Sequence, residues 1–462
     1  MPSTAEDFLK PREPQLVEEL KSLIRIPSQS GAPDRAADIR RAADWVALRL
    51  RRAGLEHVEI LPTAGHPVVY ADWLHAAGAP TILIYGHYDV QPPEPLALWT
   101  SPPFEPEVRD GKLFGRGASD DKGGVVAAIA GVEAYLGCAE QPRLNLRFCI
   151  EGEEEIGSPH LGPLLASDRG RFACDLVVSA DGGQWSENQP QVLLSLRGGC
   201  GAEVHVYGPS RDLHSGVYGG AVMNPLEALS RILASLRTPE GRIAIDGFYD
   251  DVVSPSTRDR EEIARVPFDE ETYRRETGVT GLHGEPGFTT LERVWIRPTL
   301  EINGMWGGHT GAGPKTIIPA EAHAKITCRL VANQNGDQIG PLLKRHIEAH
   351  APPGVRVEVK VGGFSAKPYA IAADHPAMRC AAEVLKKVYG VAPLEARVGG
   401  SVPVLSWFEG ILGAPTICLG PTTLDANIHS PNEFVYLTSL HRAARCFALI
   451  CARLETYQPR VG

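Results

Sequence analysis

No Cys-x-x-Cys pair occurs among the nine cysteines, no apolar stretch is long enough to cross a bilayer, and basic residues do not outnumber acidic ones. Several cysteines sit inside apolar runs, as in Phe148-Cys149-Ile150 and Ile417-Cys418-Leu419. That placement fits reduced, buried thiols and opposes a disulfide framework or a thiolate metal site. The longest apolar-rich run, Val125 to Ala139, is interrupted by Glu133 and is too short for a membrane span. Met1 to Pro14 is polar and broken by prolines, without the apolar segment of a signal peptide. A cytoplasmic protein without a membrane partner is therefore expected. With 46 Lys and Arg against 56 Asp and Glu, the net charge is −10, which gives no basis for a nucleic-acid partner. There is no Gly-x-Ser-x-Gly elbow for a serine hydrolase and no Walker pattern for a phosphate loop. Internal repeats and low-complexity tracts are absent as well.

What is present is a chain of 462 residues, too long for one ordinary core, with the 43% hydrophobic and 22% charged content of a globular protein. From Leu16 to Gln191 short apolar strands alternate with helical stretches. Ile39 to Ala53 and Val125 to Leu136 read as helices. Thr81 to Tyr85 (TILIY) has no polar alternation, so it predicts a strand buried on both faces. Leu144 to Ile150 and Asp175 to Ser179 read as further strands. This rhythm predicts an α/β domain with a mixed, largely parallel sheet flanked by helices. From Leu194 the order becomes strand Ala202 to Tyr207, helix Pro225 to Leu236, strands Arg297 to Ile302 and Ala322 to Val331, helix Asp337 to His350, and strand Val355 to Val361. That β-α-β-β-α-β order is ferredoxin-like. A charged stretch, Arg258 to Thr277, interrupts it and reads as a solvated helical face. After Lys367 the α/β rhythm returns with helix His375 to Tyr389, strand Pro415 to Leu419 and helix Thr438 to Leu454. The expected organisation is a catalytic domain, 1–193 and 367–462, interrupted by an inserted α+β domain, 194–366.

Four segments place polar side chains directly after a buried strand or a short loop beyond it. TILIY runs into His87 and Asp89, and Leu144 to Ile150 runs into Glu151, Glu153, Glu154 and Glu155. Asp175 to Ser179 runs into Asp181, and Pro415 to Leu419 leads to His429. In open α/β sheets ligands gather at the carboxyl ends of strands. His87 and Asp89, two apart in an extended segment, leave on the same side, so Asp89 could orient the His87 ring. A single histidine is more often structural, and a run of glutamates is more often a solvated surface. Directly after an apolar strand, however, uncompensated carboxylates repel and are costly to desolvate. Bound cations relieve that conflict, with one Glu as ligand and its neighbour as general base. Asp120-Asp121, in GRGASDDKGG, suit a carboxylate bridging two metals better than a phosphate cradle.

The segments YGHYDVQP (Tyr85 to Pro92), GRGASDDKGG (Gly115 to Gly124), EGEEEIGS (Glu151 to Ser158), RDLHSGVYGG (Arg211 to Gly220), VGGSVPV (Val398 to Val404) and NIHSPNEF (Asn427 to Phe434) resemble the co-catalytic zinc exopeptidases. That family includes carnosinase, cytosolic non-specific dipeptidase, carboxypeptidase G and succinyl-diaminopimelate desuccinylase, and the dipeptidase branch is the most similar. The resemblance implies a zinc-exopeptidase-like catalytic domain with an inserted lid that also forms a homodimer. It implies two divalent metal ions, zinc first, with manganese or cobalt as alternatives. His87 and Asp181 would hold one ion, Glu155 and His429 the other, and Asp120 would bridge both through a cis peptide to Asp121. Glu154 would be the general base. His214 would reach the site of the other subunit, although a surface or domain-packing histidine is the alternative. Arg329 would hold the substrate's terminal carboxylate, and Thr316, Gly400 and Ser401 fit substrate-contacting positions.

The implied reaction is hydrolysis of a dipeptide or of a C-terminal amino-acid amide bond by activated water. Within the same family, an N-acyl, N-succinyl or N-carbamoyl amino acid is the alternative substrate. Outside enzymes, a binding protein that keeps the fold is the alternative, and it predicts loss of a ligand or of the base. All five ligands and the base are present in the sequence.

Overall fold

A computed structural model describes residues 4–138, 140–400 and 402–458. Contacts divide the chain into two compact units. One comprises Met1–Leu194, Ile371–Ala396 and Val404–Gly462; the other comprises Ser195–Ala370 and Arg397–Pro403.

The first unit is built on a six-stranded sheet in the order Glu56–Leu61, Val68–Trp73, Asn145–Glu151, Thr81–His87, Leu176–Ser179 and Thr416–Cys418. The first two pairings are antiparallel and the other three are parallel. Ile82 to His87 are buried without alternation, as a central parallel strand covered on both faces must be. The helix Lys122–Cys138 packs against this strand and against the helices Glu13–Ile24 and Leu437–Leu454. Surrounded in this way, it is apolar around its circumference rather than along one stripe. Gly131 sets its distance from Leu437–Leu454: a Cβ there would lie 2.4 Å from the Phe447 Cβ and 2.5 Å from the Ala444 carbonyl oxygen.

The second unit contains a four-stranded antiparallel sheet in the order Thr299–Gly307, Glu321–Leu330, Gly198–Tyr207, Arg356–Ala366. Helices Pro225–Ser235 and Gly336–Ala349 connect its strands with the topology expected of a ferredoxin-like domain. Val204, Val206, Ile326 and Val359 from the sheet meet Leu229, Ile232, Leu343 and Ile347 from the helices in one core. Along Glu321–Leu330 the alternate residues Ala322, Ala324, Ile326, Cys328 and Leu330 are buried, so Arg329 belongs to the other face.

Two local expectations change. Arg258 to Thr277 forms two short helices, Thr257–Ala264 and Glu270–Thr277, not one continuous face. Pro267 interrupts the run, and the Asp269 side chain caps the second helix by accepting from the Glu271 and Thr272 amides. The strand expected at Arg297 to Ile302 begins at Thr299, just after Pro298, and continues through an irregularity between Ile302 and Gly304 to Gly307. The nine cysteines are free thiols. Among the described residues, no helix is long and apolar enough to cross a membrane.

Candidate metal centre

The parallel strands deliver the chemistry to one edge of the first unit's sheet. His87 ends the strand Thr81–His87 and stands in register with Glu151, the last residue of the neighbouring strand. On the other side, the Ala180 amide donates to the Tyr85 carbonyl at 2.7 Å, which brings Asp181 to the same edge. Asp120 arrives from the loop before the helix Lys122–Cys138, and the Asp120–Asp121 peptide bond is cis. The chain can pass this close because residue 124 is glycine: a Cβ there would stand 2.0 Å from Asp121 Oδ1 and 2.4 Å from the Ala180 carbonyl oxygen. His429 follows the last strand of the sheet, with its backbone at φ 60°, the left-handed region that non-glycine residues rarely occupy.

Two groups of donor atoms result, and Asp120 belongs to both. The donor atoms of His87, Asp120 and Asp181 lie within 4.8 Å of one another, as do those of Asp120, Glu155 and His429. Asp120 turns one oxygen to each imidazole: Oδ1 is 3.1 Å from His87 Nε2, and Oδ2 is 2.9 Å from His429 Nε2. Glu155 Oε2 is 3.2 Å from the same His429 nitrogen. His87 directs Nε2 inward because Nδ1 is engaged by the Asp89 carbonyl at 3.2 Å and the Asp89 carboxylate at 3.3 Å. The Asp89 carboxylate also accepts from the Glu154 and Glu155 amides at 3.3 and 3.1 Å. One buried aspartate thus couples a histidine to the turn that carries two glutamates.

The electrostatics are those of crowded carboxylates beside two imidazoles. Burial first, then the charges of Asp181, Asp120 and Glu155, push the Glu154 carboxyl well above the usual range, against the pull of His87. Asp181 rises to about 6, through burial and the charge of Asp120. His429 is lifted to about 10 by its hydrogen bonds to Asp120 and Glu155. Burial alone would lower His87, but Asp120 and Asp89 raise it well above its ordinary value. Buried carboxylates outnumber the two imidazoles beside them, so the set is short of positive charge. Two imidazole nitrogens and three carboxylates, divided into two groups with one shared member, fit two divalent ions of the zinc, manganese or cobalt type.

The model of Peptidase family M20/M25/M40 matches residues 83–453. The chain belongs to this family. Over 452 residues, 96% of each chain, it is 31% identical to a cysteinylglycine-S-conjugate dipeptidase of Corynebacterium striatum. Over an alignment of 468 positions that covers 98% of each chain, it is 28% identical to the Cys-Gly metallodipeptidase dug1 of Schizosaccharomyces pombe. The structure of an M20 family metallo-carboxypeptidase from Sulfolobus solfataricus superposes with a TM-score of 0.84 at 29% identity, covering 96% of this chain and 99% of that one.

Within this M20 chain the run of four glutamates divides. Glu155 belongs to a donor group and Glu154 feels the charges of His87, Asp181 and Asp120, whereas Glu151 and Glu153 have partners of their own, so cations need not compensate the whole run. Glu151 accepts from the Tyr85 and Ser158 hydroxyls at 2.8 and 2.9 Å, and burial raises it to about 8. Glu153 is held by the His66 amide at 2.9 Å and by His160 at 2.8 Å. Asp121 turns its carboxylate to the His87 amide at 3.3 Å.

The other expected positions fall in the second unit. His214 is exposed, and its Nδ1 accepts from the Gly216 amide at 3.0 Å. Thr316 is exposed, and its carbonyl accepts from the Ser215 amide at 3.0 Å, one residue after His214. Arg329 lies on the sheet face opposite the core, Gly400 is exposed, and Ser401 lies outside the described residues.

Two residues escaped the sequence reading. Gln91 donates from its backbone to Glu155 Oε1 at 3.1 Å and from its side chain to Oε2 at 2.8 Å, which fixes that carboxylate's direction. Its signal in the sequence was its place in YGHYDVQP, four residues after His87, with no role read for it. Glu433, in the loop of His429, is the other.

Proposed function

We propose that this M20 metallopeptidase hydrolyses dipeptides, with two divalent ions shared through Asp120 and with Glu154 as general base. The observation that carries the reading is the pair of donor groups meeting at Asp120, one carboxylate oxygen toward each histidine. The names of the full-length relatives, cysteinylglycine-S-conjugate dipeptidase and Cys-Gly metallodipeptidase, support the substrate class. His87, Asp120 and Asp181 would hold one ion, and Asp120, Glu155 and His429 the other. Zinc suits these donors, with manganese and cobalt compatible with them.

When bound, such ions lower the pKa of water and polarise the scissile carbonyl. The chain's own residues do the rest. Glu154, half-buried beside the donor groups but outside them, takes a proton from the attacking water and returns it to the leaving amine. Asp89 keeps the His87 ring oriented and braces the turn that carries Glu154. Arg329 would pair with the free carboxylate of the dipeptide, with Thr316, Gly400 and Ser401 as further substrate contacts. The free thiols suit a reducing, cytoplasmic location.

The test of substrate class is a panel of free dipeptides, the same dipeptides amidated at the C-terminus, and N-acyl amino acids. Free dipeptides should be preferred, and Arg329→Ala should raise KM for them and shrink the discrimination against the amides. Equal turnover of free and amidated dipeptides contradicts the carboxylate clamp. Faster turnover of N-acyl amino acids moves the reading to the amidohydrolase alternative.

We also propose a homodimer through the inserted domain, in which His214 serves the partner's site and stabilises the developing oxyanion. Mixing His214→Ala with Glu154→Gln subunits should then create one intact site in each heterodimer and recover up to about half of the wild-type activity. Confirmed subunit exchange without recovery contradicts action across the interface.

A further inference from the structure

Glu433 is fully buried and stands four positions after His429 in the same loop. Its carboxylate accepts four hydrogen bonds, and all four donors belong to the segment that carries Asp120. Oε1 takes the Ser119 amide at 3.0 Å and the Asp120 amide at 3.1 Å. Oε2 takes the Gly117 amide at 3.0 Å and the Arg116 guanidinium at 2.8 Å. Two more bonds join the same segments: the Ser119 hydroxyl donates to the Phe434 carbonyl at 2.7 Å, and the Gly115 amide donates to the Glu433 carbonyl at 2.9 Å. Arg116, also buried, continues the chain of contacts by donating to the Pro92 carbonyl at 3.2 Å. Pro92 follows Gln91, whose amide groups hold Glu155.

We infer that Glu433 is a positioning residue, which fixes the backbone of Asp120 relative to the His429 loop and so preorganises the Asp120, Glu155 and His429 group for a divalent cation. This rests on the proposal that these residues hold metal. A buried ion pair is a poor device for stability alone, because well-packed apolar side chains of similar volume do as well or better. An apolar pair could not grip the Asp120 and Ser119 amides, and that grip lets one loop set the position of a residue in the other. Partners that orient a ligand are commonly worth tenfold or more in metal affinity.

The experiment compares the unmodified chain with Glu433→Gln and Ser119→Ala. Each is stripped with a chelator and titrated with zinc by calorimetry, and thermal unfolding of each metal-free protein is recorded in parallel. The unmodified chain should bind two ions. Glu433→Gln keeps the shape but replaces one acceptor oxygen with a donor, and it should weaken at least one ion by about 10- to 100-fold. Ser119→Ala removes only the hydroxyl bond to Phe434 and should weaken binding in the same direction by a smaller factor. Excess zinc should restore most of kcat in both variants. A lowered metal-free Tm with both ions bound as tightly as in the unmodified chain would make Glu433 a structural clasp and overturn the inference. If Glu433→Gln does not fold, unchanged affinities in Ser119→Ala overturn it. An unmodified chain that binds no zinc removes the metal-centre reading itself and this inference with it, whereas two ions in the unmodified chain with unaffected variants defeats the inference alone.

Discussion

Glu154→Gln should lower dipeptide turnover by roughly 10²- to 10⁴-fold, the usual weight of a positioned general base, while leaving both ions bound. The neighbouring change, Glu155→Gln, should instead reduce metal content. The two residues are adjacent in sequence and both amides are held by Asp89, so similar backbone placement makes them a matched pair for comparison. They differ in what their carboxylates meet. Glu155 lies against His429 and is gripped by Gln91, a position for a fixed ligand. Glu154 is outside both donor groups, which leaves its carboxylate available to take up and release a proton. Elemental analysis together with kcat separates the roles. Equal metal loss in the two variants would erase the distinction.

Asp120→Asn should have the broadest effect, because a single amide cannot reproduce two anionic oxygens directed at two histidines. Burial would raise the Asp120 carboxyl, but hydrogen bonds from His429 and His87 hold it well below the usual range. In the variant, each donor group loses its shared anion, and the amide nitrogen must face one of the two cation positions with no lone pair to offer. Affinity for both ions should fall by more than about 100-fold, beyond the usual effect of removing only a ligand's hydrogen-bond partner. Activity should fall with it. Zinc titration showing that one ion still binds with its original affinity would mean that Asp120 serves a single ion rather than bridging two.

The positions of the strand ends were legible because burial on both faces leaves a mark in sequence. TILIY has no alternation, and Thr81–His87 is a central parallel strand. The ferredoxin-like order was legible from element sequence alone, since two crossover helices at those points leave few ways to pair four strands. What remained hidden depends on contacts between distant segments. Nothing in EGEEE says which carboxylates have neutral partners: Tyr85 is 66 positions from Glu151, and His66 is 87 positions from Glu153. The Arg116–Glu433 pair spans 317 positions. Each residue alone reads as an ordinary surface charge, and only the folded chain buries both. The left-handed backbone at His429 left no signal either, because a histidine there has no glycine to announce it. The resemblance supplied the pairing of donors, which composition and spacing could not.

Whether dipeptide cleavage depends on two ions sharing Asp120 is decided by a stoichiometric titration. Chelator-treated protein is titrated with zinc while bound metal and hydrolysis of a cysteinylglycine-type dipeptide are measured on the same samples. Hydrolysis should be negligible without metal, rise with bound zinc and reach a plateau at two ions per chain. Full hydrolysis by metal-free protein, or none at two bound ions, would contradict that dependence.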